Sequence, residues 1–129
     1  GMHGRPDDPT AAVVSAIESY PIDVLAHPTN RLINEREPLD LDLDAVVSAA
    51  ADANMAIEIN AQPERLDLDW AAVKEHRDAV PFVVSSDAHT AGELDFVHLG
   101  VAQARRGWCA AGDVLNTRPL EELLSYFEG

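Results

Sequence analysis

Three short apolar runs, each following a stretch with helical spacing, constrain this chain more than any other feature. They are Ile22–Ala26, Met55–Asn60 and Phe82–Ser85. Strands separated by helices in this way give a parallel arrangement. Parallel strands need a long crossover between them, and a helix is the usual one. The chain therefore reads as α/β, with three or so parallel strands and flanking helices. A length of 129 residues suits a single domain spanning positions 1–129.

The intervening segments carry the helical signals. Thr10 is placed to cap a helix bearing Val13, Val14, Ile17 and Tyr20, which Pro21 stops. Asp40 or Asp42 opens a second, with Ala45, Val46, Ala49 and Ala53 along one side. Asp67 caps a third that runs to about Ala79, with Trp70 and Val73 turned inward. Leu94, Val97, Val101 and Ala104 mark a further helical face, and Gly100 a break in it. A short helical turn is expected over Asp113–Leu115. Thr117 and Pro119 then open a last helix with Leu120, Leu123, Leu124 and Phe127 as its buried stripe.

Polar groups gather where the strands end. Ser86-Asp87-Ala88-His89 follows the third strand, Ala26-His27-Pro28 closes the first, and Glu58-Ile59-Asn60 closes the second. In α/β folds, ligands and metals collect at the carboxyl ends of strands. In a still-extended segment positions i and i+2 share a side, so Asp87 and His89 would face one cavity. Imidazole and carboxylate suit zinc, manganese or iron. Such ions activate water and hold phosphate oxygens. Arg31, in the loop after His27, has the guanidinium that grips phosphate bidentately. Plainer readings stand beside these. Asp87 is also a good helix cap beside a surface histidine, and His27 an imidazole packed before a proline turn. Asn60 orients substrate or closes a turn, and Arg31 binds phosphate or solvates a loop. His3 lies near the terminus. Arg105 and Arg106 complement a helix C-terminus. His76 and His98 read as surface residues, and Trp108 and Cys109 as packing.

Charge narrows the partners. There are 23 acidic residues against 9 basic ones, a formal charge of −14, and Lys74 is the only lysine. Such a surface repels nucleic acid except at a local basic or metal-filled site, so DNA binding by this chain alone is not expected. It suits a salt-rich cytoplasm or a GC-rich genome. No run approaches a membrane span and no basic-then-apolar leader is present. The single cysteine, Cys109, excludes an internal disulfide framework and a cysteine-based zinc site. A cytoplasmic location is expected, and Gly1 before Met2 reads as a cloning remnant.

The segment Asp23-Val24-Leu25-Ala26-His27-Pro28-Thr29-Asn30-Arg31-Leu32 resembles a motif of the PHP (polymerase and histidinol phosphatase) domain. So do Ile57-Glu58-Ile59-Asn60-Ala61 and Ser86-Asp87-Ala88-His89. Ala104-Arg105-Arg106-Gly107-Trp108 and Asp113-Val114-Leu115-Asn116-Thr117 resemble the tail of that domain. The likeness is strongest to the PHP domain of bacterial and archaeal family X DNA polymerases. It covers nearly the whole chain but only the rear half of the family's distorted seven-stranded β/α barrel, so a partial barrel is expected.

The resemblance implies metal-dependent phosphoesterase chemistry on a phosphate ester or a DNA 3′ end, the latter as an exonuclease. It implies His27, Asp87 and His89 as ligands of a divalent metal, zinc or manganese. Met2-His3-Gly4 resembles the segment carrying an earlier ligand, which implies His3 as a fourth. The family's His-x-His pair has no counterpart in this sequence, so metal should bind weakly or not at all to the isolated chain. The partner implied is a missing N-terminal half or a second copy of the chain. Three strands leave sheet edges unpaired, which also favours a homo-oligomer. The alternative is a non-catalytic, truncated PHP module that self-associates and keeps a vestigial metal pocket.

Overall fold

The computed structural model describes residues 8–128. Helix α1 spans Pro9–Ser19. Asp8 caps it, its carboxylate accepting from the Ala11 amide at 3.0 Å, with Pro9 in the first-turn position that needs no donor. The expected cap, Thr10, sits inside the helix. Its hydroxyl accepts from the Asp42 amide at 2.8 Å and ties α1 to the start of the next helix. Strand β1 is only Val24–Leu25. Helix α2, Leu43–Asp52, is capped by Asp42 as the sequence suggests. Strand β2 is Ala56–Asn60.

Helix α3, Trp70–His76, is capped by Asp69, which accepts from the Ala72 amide at 2.8 Å. The expected cap, Asp67, is buried elsewhere. Strand β3 is Phe82–Ser85. A 3-10 turn over Ala91–Phe96 leads into helix α4, Val97–Arg106. Two short turns, Ala111–Asp113 and Leu115–Thr117, precede helix α5, Leu120–Glu128.

The sheet is parallel, in the order β1-β2-β3, and is not closed into a barrel. Leu25 pairs with Ile57, Ile57 with Phe82, and Asn60 with Ser85. All five β2 residues are buried, as a central parallel strand requires. Ile57 and Ile59 on β2 and Phe82 and Val84 on β3 pack in one cluster with Val46, Val47 and Ala50 of α2 and Val73 of α3. Helix α4 joins this core closely at its glycine. A Cβ on Gly100 would lie 2.5 Å from a Val84 methyl, so the glycine is there for closeness of approach and is not a helix break.

Among the described residues, one outer edge of this sheet is open and the other is covered. Phe82 makes a parallel bridge to Val114. The Asn116 side chain then imitates a neighbouring strand. Its Oδ1 accepts from the Val84 amide at 2.8 Å and its Nδ2 donates to the Val84 carbonyl at 2.9 Å. The β3 edge is thus covered, contrary to the expectation of two bare edges. Among the described residues β1 pairs on one side only.

Several side chains depart from their expected burial. Trp70 is not turned inward but lies partly exposed, with the Arg106 guanidinium 4.7 Å from its ring. Trp108 is exposed beneath Lys74, whose ammonium sits 3.6 Å from the ring centre. Leu94 is exposed because residues 91–96 form a 3-10 turn, in which the 3.6-residue spacing does not hold. Leu120 and Leu124 of α5 are exposed too, since the described residues supply no apolar layer over that end of the chain. His76, read as a surface residue, is buried.

Candidate functional site

Side chains alternate along a strand, so Glu58 and Asn60 project from the same face of β2. As β2 is central, groups near its carboxyl end can reach both neighbours. Glu58 Oε1 accepts from the His27 backbone amide at 2.8 Å, beyond the end of β1. The same oxygen accepts from Asn60 Nδ2 at 3.1 Å. Asn60 Nδ2 also donates to Asp87 Oδ2 at 3.2 Å, beyond the end of β3. One continuous hydrogen-bond chain, His27–Glu58–Asn60–Asp87, therefore crosses all three strand ends. Glu58 is 8% exposed and Asn60 fully buried, so these contacts exchange little with water.

The other end of the Asn60 amide is used as well. Its Oδ1 accepts from the Gln62 amide at 3.0 Å. Gln62 Nε2 in turn meets the Ser86 and Asp87 carbonyls at 2.9 and 2.7 Å and Glu93 Oε1 at 2.8 Å. This Gln62 bond, first among the causes, lowers the Glu93 pKa, helped by Thr90 and by the amide and charge of His89. His89 itself is exposed.

Two residues of this rim hold unusual backbone. His27 has φ 27° and Asp87 φ 49°. Non-glycine residues rarely adopt these values, at a cost of roughly 1–3 kcal/mol each, and such residues concentrate at functional sites. The surroundings hold both in place. Glu58 grips the His27 amide, while Ser85 Oγ accepts from the Asp87 amide at 3.2 Å. The segment is therefore not extended at Asp87, and the same-side rule does not relate Asp87 to His89.

The loops after β1 and β2 are fastened to each other. Asp67, fully buried, accepts from the Thr29 amide with both oxygens, at 3.0 and 3.2 Å. Burial raises its pKa, against the lowering pull of hydrogen bonds from Thr29 and Asn30 and of the Arg31 charge. Arg31 donates through Nε to the Arg65 carbonyl and through Nη2 to the Leu66 carbonyl, both at 2.6 Å. Arg65 Nη1 donates to Asn30 Oδ1 at 3.1 Å. Arg31 thus acts here as a clamp between loops.

Of the residues singled out from sequence, His27, Asn60 and Asp87 meet through the hydrogen-bond chain. His89 adjoins Glu93, and Arg31 is committed to the loop pair. His3 lies outside the described residues. Glu58 and Gln62 were not selected as site residues. The period-two spacing of Glu58 and Asn60 was the signal for the first, and no sequence signal marks the second. Among the described residues, the one group of three His, Cys, Asp or Glu donors within 4.8 Å of one another is Asp44, Glu75 and His76, on α2 and α3. The strand-end residues alone do not fit a tightly held metal.

Fold and rim together define an α/β protein with a polar site across the carboxyl ends of parallel strands. No protein-family model matches the chain. It is 36% identical over 115 residues, 88% of its length, to DNA polymerase/3′-5′ exonuclease PolX of Bacillus subtilis (strain 168). Identity of this degree over so much of the chain makes it homologous to that segment of PolX. The chain spans 20% of the length of PolX. No described helix is long and apolar enough to cross a membrane.

Proposed function

We propose that this chain is the C-terminal portion of a PHP-type phosphoesterase domain, which hydrolyses a phosphate ester or a DNA 3′ end with a divalent metal, zinc or manganese. The observation that carries this reading is the hydrogen-bond chain from His27 through Glu58 and Asn60 to Asp87. Homology to a protein named as a 3′-5′ exonuclease supports it. In this reading His27, Asp87 and His89 are ligands, joined by His3. Glu58 positions His27 through its amide, and Asn60 positions Asp87 by donating to one carboxylate oxygen. That bond leaves the other oxygen of Asp87 for a cation. Asn60 and Arg31 are the substrate-side groups, Arg31 through Nη1, the nitrogen that the loop carbonyls do not use.

The remaining ligands come from outside this chain, from an N-terminal half or a second copy, which would also pair with the outer edge of β1. The location proposed is the cytoplasm. A second reading, a non-catalytic module that self-associates, is favoured by one observation. The rim holds no cluster of three donors among the described residues.

A chimera separates the two readings. Residues 8–128 replace the matching segment of B. subtilis PolX, and 3′-end hydrolysis is measured with manganese. The catalytic reading expects manganese-dependent hydrolysis, reduced by at least about 10-fold by His27→Ala or Asp87→Asn, since loss of even an outer-shell partner of a metal costs about 10- to 100-fold. A folded chimera without hydrolysis, beside an active parent, would establish the non-catalytic reading.

A further inference from the structure

We propose that Asp44, Glu75 and His76 form a second cation site, one that takes a single zinc ion and clamps the start of α2 to the end of α3. None of the three lies on a strand end, so the proposal stands apart from the function proposed above. Asp44 belongs to the first turn of α2, and Glu75 and His76 to the last turn of α3. Their donor atoms all lie within 4.8 Å of one another.

His76 fixes the geometry of the group. Its side chain is only 7% exposed, and its Nε2 faces Asp44 Oδ1 at 3.5 Å. That is long for a hydrogen bond. It matches the separation of two zinc ligands, because donor bonds of about 2.0–2.1 Å at a tetrahedral angle place their ends about 3.4 Å apart.

The donor set decides the ion. An imidazole nitrogen with two carboxylate oxygens suits zinc and disfavours calcium and magnesium, which take oxygen. Three protein donors leave a fourth position for water. The imidazole is held by packing, whereas both carboxylates are exposed and can close by the ångström the site requires. A chain of formal charge −14 also draws cations to its surface.

The test uses the full chain and zinc chloride. Zinc affinity is measured by competition with a chelating dye, and the His76 ring nitrogens are followed in long-range 1H–15N spectra. The wild type should bind one saturable equivalent, shift the His76 Nε2 resonance and melt at a higher temperature with zinc. The double variant Asp44→Asn/Glu75→Gln changes only exposed side chains. It should lose affinity by about 10-fold or more and lose the rise in melting temperature. The variant Asp87→Asn/His89→Ala should retain both. Absence of saturable zinc in the wild type, equal affinity in the Asp44→Asn/Glu75→Gln protein, or an unmoved His76 resonance would each overturn the proposal.

Discussion

Asn60 is fully buried and both ends of its amide are engaged, so few residues here carry more local consequence. Asn60→Ala would leave the Gln62 amide without its acceptor, and Glu58 and Asp87 without a shared donor. We expect a loss of roughly 1–3 kcal/mol in urea unfolding, the cost of stranding buried polar groups. Asp67 gives a prediction of pH dependence. Burial sets its folded pKa above the unfolded value of 3.8. Between those two values the folded protein holds a proton that the unfolded chain has released. Stability from this group therefore falls as pH rises through that window, and the loss persists to neutrality. Asp67→Asn cannot titrate. Thermal melts from about pH 7 to about pH 4 should show wild type gaining on the variant as pH falls. At this scale the sequence was legible in part. The place of Asn60 at the strand-end rim was readable, whereas Glu58 was not selected and Asp67 resembled an ordinary helix cap. Its burial follows from the loop after β1 lying across it, a long-range contact that no local pattern encodes.

At the scale of elements, the order of helices and strands was readable because each apolar run is bounded by a strong signal, Pro21 before β1 and a capping Asp42 before α2. The boundaries were less so. Strand β1 shrinks to two residues, and Asp69 displaces Asp67 as the cap of α3. The covered edge of β3 was not legible, since an asparagine amide imitating a strand leaves no trace in periodicity. Asn116→Ala should strand the Val84 amide and carbonyl and cost about 1–3 kcal/mol. It should also promote association through the bared edge, read as a larger hydrodynamic radius in light scattering. Gly100→Ala drives a Cβ against Val84, only 2.5 Å away. The gain in helix propensity, about 1 kcal/mol, is outweighed by overpacking, and a lower melting temperature is expected.

For the molecule as a whole, the sheet edge of β1, unpaired among the described residues, is why the chain is proposed to work with another segment or copy. The α/β class was legible from the alternation of helical segments with short apolar runs. The shared rim was legible from the positions of the strand ends, and the PHP likeness named candidate ligands there. The Asp44–Glu75–His76 cluster was not, because its members lie far apart in sequence and meet only through the packing of α2 against α3. The divalent-metal site proposed at His27 and Asp87, joined through Glu58 and Asn60, can be probed by manganese-induced line broadening in 1H–15N spectra of the isolated chain, since paramagnetic broadening detects even weak binding. Signal loss should concentrate at residues 26–28, 58–62 and 85–89 as manganese is added. Broadening that spares all three strand ends would rule the site out.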